Sequence, residues 1–182
     1  MTLSREKATN IRKVAREVRL DVVRMVHAAA CGHPGGPLGM ADFMTTLFLE
    51  HLNLTAENRL DDDRDRFVLG NGHTCAGYYA LLAQKGLISK DALLSFRKMG
   101  SPLQGHPNRN LDLGIDFSTG SLGTGLSVAQ GMALGARLNG WDSRVYCTSS
   151  DGESQEGHEK KLRRLHLVVG KGVEELSPGA GP

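Results

Sequence analysis

A chain of 182 residues with 40% hydrophobic and 23% charged content can bury one good core and has the make-up of an ordinary globular domain. Its net charge of +2 excludes a strongly basic nucleic-acid binder or membrane-surface protein, and no apolar run is long enough to span a bilayer. Cys31, Cys75 and Cys147 are widely spaced with no CxxC pair, which excludes a disulfide framework or thiolate zinc site and fits a reducing cytoplasm.

The N-terminus reads as a charged amphipathic segment rather than a signal sequence. Between about Ser4 and Ala30, Ile11, Val14, Val18, Val22, Met25, Val26 and Ala29 recur every three or four positions, the apolar face of a helix. It ends in Cys31-Gly32-His33-Pro34-Gly35-Gly36-Pro37, where Gly and Pro forbid continuation. A second helix is predicted from about Leu38 to Leu52. The acidic turn Asp61–Asp65 is interleaved with Arg64 and Arg66 and reads as solvated and self-compensating. A strand follows over Arg66–Leu69, then Gly70-Asn71-Gly72-His73 and a helix over about Thr74–Gln84. Ser89 is the predicted N-cap of a short helix. Residues 100–120 are a loop. A helix with small residues on one side is predicted from about Leu122 to Asn139, and a strand over Arg144–Thr148. Strands alternating with helices give an α/β fold with a parallel sheet. Residues 158–182 differ in kind. They offer a polar helix candidate (158–165), a strand stub (167–169) and a Gly/Pro ending, and disorder is the alternative. The basic run 160–164 reads as a solvated helix face.

Gly placement carries the functional information. Three histidines follow Gly in turn-like settings: His33, His73 and His106. Such a loop histidine is either an exposed surface group or, if the loops converge, a neutral imidazole that hydrogen-bonds a hydroxylated or phosphorylated ligand and moves protons. Their spacing lacks the close ligand pair of zinc motifs. Thr119-Gly120-Ser121-Leu122-Gly123-Thr124-Gly125 opens a helix and could let a backbone approach an anion, although it is neither GxGxxG nor a P-loop. Asp151-Gly152-Glu153 lies beyond the carboxyl end of a predicted strand, where ligands bind in open α/β sheets. Its Asp could hold a divalent ion or merely cap the next helix.

In this order and at about this spacing, the five segments resemble the transketolase family: residues 32–36, 70–73, 105–107, 119–125 and 151–157. The resemblance covers roughly residues 10–157 and implies the thiamine diphosphate-binding fold, here its diphosphate-side domain over residues 1–157, incomplete at the C-terminus. It implies thiamine diphosphate and Mg2+ or Ca2+ as cofactors, and transfer of a two-carbon ketol unit between sugar phosphates in the cytoplasm. It further implies a C-terminal transketolase domain or subunit as partner, in a homodimer or heterotetramer, with no part for nucleic acid or membrane. By the same resemblance His33 and His106 would contact donor hydroxyls, and His73 would lie near the diphosphate and substrate. Gly120 and Leu122 would line the aminopyrimidine pocket. Asp151 would ligate the metal, Gly152 would allow close approach of the diphosphate, and Glu156 would sit where cofactor domains meet.

The sequence departs from the family pattern twice. Ser150 stands where the family has Gly before its Asp-Gly pair. The Asn that completes the family's metal site further along is missing, since no Asn follows Asp151. The expectation is a chain truncated or frame-shifted after about Gly157, with an exposed sheet edge that invites association and no activity without its partner. The alternative function is a non-catalytic fragment that keeps only dimer contacts.

Overall fold

The computed structural model describes residues 3–157. The predicted tail 158–182, with its helix, strand stub and basic run, lies outside the described residues.

Helix α1 (Arg5–Ala29) opens at Ser4, whose hydroxyl accepts the Lys7 amide at 3.3 Å. It buries Ile11, Ala15, Val18, Val22 and Met25, close to the predicted stripe. Full burial of an aliphatic side chain contributes about 1.5–3 kcal/mol, so this face decides the helix's position. The chain leaves it through Ala30 in the left-handed region.

Helix α2 (Gly35–Thr46) begins three residues before the predicted start at Leu38. The first-turn amides of a helix have no intrahelical partner, so Pro37 loses nothing there and the Gly-Pro run is tolerated. Its glycine earns its place by contact: a Cβ on Gly36 would lie 2.6 Å from Thr74 Cγ2. At its far end α2 widens into a π-turn, Leu47–His51, closed by the Leu52 amide on the Leu47 carbonyl at 2.9 Å. The Lys85 ammonium donates to the Phe48 carbonyl at 2.9 Å and so satisfies one of the groups that the widened turn frees.

Strand β1 (Arg66–Leu69) forms where predicted and pairs in parallel with β2 (Val145–Thr148), with Phe67 opposite Tyr146 and Val68 opposite Cys147. Alternation then sorts the side chains to two faces. Phe67, Leu69 and Tyr146 join the main core with α1, α2 and α3 (Cys75–Gln84), whereas Val68 and Val145 pack beneath Ala129 of α4 (Gly125–Leu138). Helices therefore cover both faces of the sheet, which is the predicted α/β layering. Around Phe67 the rings of Phe48 and Tyr78 stand at 5.0 and 5.1 Å between centroids.

Three expectations are corrected. The acidic turn is not wholly solvated: Asp61, Asp62 and Asp63 are exposed, but Arg64 and Asp65 are buried. Arg64 binds Asp116 through two nitrogens, at 2.7 and 3.2 Å. Asp65 accepts the amides of Asn53 and Arg144, each at 2.8 Å, and ties the connection before β1 to the one before β2. The short helix after Ser89 is a 3-10 turn, Asp91–Ser95, with the Ser89 hydroxyl accepting the Ala92 amide. Helix α4 starts at Gly125 rather than Leu122, because Gly123 takes φ +78, which a right-handed helix cannot contain. No helix among the described residues is long and apolar enough to cross a membrane.

Candidate active site

Both strands run in the same direction, so the segments leaving their carboxyl ends emerge at one edge. After β1 the chain passes through Gly70 and Asn71 into a 3-10 turn, Gly72–Thr74, that holds His73 at the head of α3. Glycine is required at position 70. A Cβ there would strike the Thr148 carbonyl, and a Cβ on Gly125 would lie 2.6 Å from Gly70 Cα. Asn71 is buried and accepts the Thr148 hydroxyl at 3.0 Å, which locks the two strand ends together.

His33 arrives from the link between α1 and α2. Its ring meets that of His73 edge-on, with centroids 5.5 Å apart. His106 arrives from the loop 100–120, which α3 anchors. The Cys75 thiol donates to the Gly105 carbonyl at 3.1 Å and the Tyr79 hydroxyl to the Gln104 carbonyl at 2.9 Å. Burial pushes the Cys75 thiol up to about 12, so it stays protonated and serves as a donor rather than a nucleophile. The Thr119 amide closes the loop on the Pro107 carbonyl at 3.1 Å, and a Cβ on Gly120 would lie 3.4 Å from the His106 ring. His106 is held below the ordinary histidine value of 6.5 by partial burial, then by the charges of Arg97, His33 and His73. At neutral pH its imidazole is neutral and offers one donor and one acceptor. The structure thus gathers His33, His73, His106 and Gly120, contributed by separate stretches of chain.

After β2, Ser150 caps the short helix α5 (Asp151–Ser154) in a reciprocal capping box with Glu153. Asp151 and Gly152 are exposed at the same edge. No hydrogen bond among the described residues joins the Asp151 carboxylate to the imidazoles, and no group of three or more His, Cys, Asp or Glu there could hold a metal ion. Leu122 is exposed, and Glu156 packs its Cβ against Gly123.

Two residues that carry much of this architecture were not assigned a role from sequence. Glu153 is 1% exposed, and its carboxylate accepts the Gly123 amide at 3.1 Å and the Ser150 amide at 2.9 Å. One side chain therefore joins the glycine-rich loop to the Asp151 turn. Its signal was readable as Ser-x-x-Glu, the capping-box pattern. Arg97 lies beside His106 without a local motif to announce it.

A family comparison matches residues 10–169 to the thiamine diphosphate binding domain of transketolase. The chain belongs to that family. The match continues past Gly157, where the resemblance in the motifs ends. Relatives include the A subunits of apulose-4-phosphate transketolase from Phocaeicola vulgatus and Actinobacillus succinogenes. The first is 37% identical over 87% of this chain and 59% of that protein. The second is 34% identical over 81% and 54%. The solved transketolase of Campylobacter jejuni has a TM-score of 0.79 at 32% identity, covering 92% of this chain and 27% of that one. This transketolase-family chain spans just over half the length of those two A subunits, and only 24% of curated transketolases such as that of Rhodobacter capsulatus. The predicted α/β thiamine diphosphate-binding fold agrees with these neighbours.

Proposed function

We propose that this chain binds thiamine diphosphate with Mg2+ or Ca2+ and, together with a C-terminal transketolase domain or subunit, transfers a two-carbon ketol unit between sugar phosphates. The observation that carries the reading is the convergence of three imidazoles beside Gly120 at the carboxyl edge of the parallel pair. Ligands bind at that edge in open α/β sheets.

The residues present suit a cofactor with a flat ring and an anionic tail. Leu122 offers an exposed apolar surface at the glycine-rich loop, which with Gly120 would line the aminopyrimidine pocket. Nothing lies within 4 Å of the position a Cβ on Gly152 would take, which leaves room for a diphosphate beside the Asp151 carboxylate. Asp151 would supply one protein oxygen to the ion, whose charge would offset that of the diphosphate. Bound thiamine diphosphate supplies the electron sink for breaking and making the carbon–carbon bond.

This chain's own residues would bind, orient and move protons. His33 and His106, at the rim, would exchange hydrogen bonds with the donor's hydroxyls. His73, held in its 3-10 turn, would lie near the diphosphate and the substrate. Glu156 would stand where partner cofactor domains meet, in a homodimer or heterotetramer in the cytoplasm.

Calorimetric titration of the chain with thiamine diphosphate and Mg2+ tests the reading. Micromolar binding that is lost in Asp151→Ala is expected. No heat at millimolar cofactor would overturn it and leave a fragment with dimer contacts alone. With a carboxy-terminal partner added, a ketol-transfer assay should then show reconstituted activity.

A further inference from the structure

We propose that Arg97 is a positioning residue that pins the His33 loop to the His106 loop and so sets the separation of the two imidazoles. The inference rests on the imidazole cluster being the donor-sugar site proposed above.

Arg97 touches both loops at once. Its Nη1 donates to Cys31 Sγ at 3.6 Å, two residues before His33. Its guanidinium lies over the Gly105 backbone, one residue before His106, so closely that a Cβ on Gly105 would sit 2.6 Å from both Cζ and Nε. Its amide donates to the Leu103 carbonyl at 2.8 Å. The ring of Phe96 stands 5.7 Å beneath the guanidinium, and the same ring would meet a Cβ on Gly32 at 3.4 Å. The pair Phe96-Arg97 is therefore wedged between the two loops.

Three features are costly unless the wedge is needed. Arg97 has φ +61, a left-handed backbone that is strained for a residue bearing a side chain. Its Nε is buried without a hydrogen-bond partner among the described residues. None of the ion pairs among them involves Arg97, so no carboxylate among the described residues pairs with its charge. A surface arginine placed for solubility has none of these features. A planar, rigid fork that must fill one gap between two loops has a reason for all of them. The charge has a second effect. The groups acting on His106 are Arg97, His33 and His73, and all of them oppose its protonation.

The test is an NMR titration and backbone relaxation measurement on the full chain, comparing the parent with Arg97→Met, Arg97→Lys and Gly105→Ala. Arg97→Met should raise the His106 midpoint, because a cation that opposed the proton is gone. Gly105→Ala keeps every charge but pushes the guanidinium away, and should raise it too. Arg97→Lys keeps the charge without the fork, so amides of residues 31–33 and 103–106 should become more mobile together. If Arg97→Met does not fold, the other two variants decide. Loop amides that stay unchanged in Arg97→Lys and Gly105→Ala overturn the pin, even if the midpoint moves, since charge alone then accounts for it. The measurement uses no sugar, cofactor or partner. Failure here leaves the ketol-transfer reading standing, and absence of cofactor binding leaves the pin standing.

Discussion

Arg64 and Asp116 are the most consequential pair of charges in the molecule, with side-chain exposures of 1% and 2%. Asp116 also accepts the Phe67 amide at 3.1 Å and Arg66 Nη1 at 3.1 Å, so a single carboxylate fixes the start of β1. Removing it strands a buried guanidinium. Asp116→Ala should therefore cost about 3–5 kcal/mol of folding stability, measured by urea unfolding. A loss near that of an exposed ion pair, about 0–1 kcal/mol, would mean water reaches Arg64. This role was not legible in the sequence. Arg64 sits in an acidic run that compensates it on paper, while its true partner lies in a loop far along the chain. The histidines were different, because Gly on the N-terminal side of each marked a backbone able to come close to something. Which groups would hold their loops in place carried no comparable mark. Arg97 sits in no motif, and its part is visible only once its neighbours in space are known.

At the scale of elements, hydrophobic spacing located α1, because burial of one face dictates it, whereas β1 and α3 are buried nearly all round and read as short apolar runs between turn residues. Boundaries set by glycine moved. A Gly can either start a helix or forbid one, and its contacts decide which. Helix α4 makes the point within one element. Gly125, at its first turn, faces the Gly70 backbone, whereas the space around Gly131 is open. Replacing a helical Gly by Ala gains at most about 1 kcal/mol from propensity. Forcing a methyl into filled space costs about 1–3 kcal/mol. Gly131→Ala should therefore raise the melting temperature and Gly125→Ala should lower it, as differential scanning calorimetry on the two variants would show. The same sign for both would contradict the backbone contact at the strand end. The π-turn after α2 had no signal in the pattern, since an apolar run of that length continues as a helix by default.

For the whole molecule, the two-sided sheet was readable from strands alternating with helices, but the exposure of α4 was not. Its inner side packs on Val68 and Val145, while Leu134 and Leu138 remain exposed at 39% and 88%, with Trp141 nearby at 36%. Large apolar groups left together in water favour association. Sedimentation velocity should show the parent chain associating as concentration rises, and Leu134→Glu with Leu138→Glu remaining monomeric over the same range. A parent that stays monomeric throughout would show that this face needs no cover.

The imidazole cluster draws on a helix-to-helix link, a strand end and a distant loop, and nothing local brings any two of them together. During synthesis His33 leaves the ribosome well before His106 exists, so no earlier fragment can present the finished trio. The trio is complete only once the glycine-rich loop has closed behind the last ring. The arrangement makes the cluster a late product of folding, and an incompletely folded copy carries the same histidines without bringing them together.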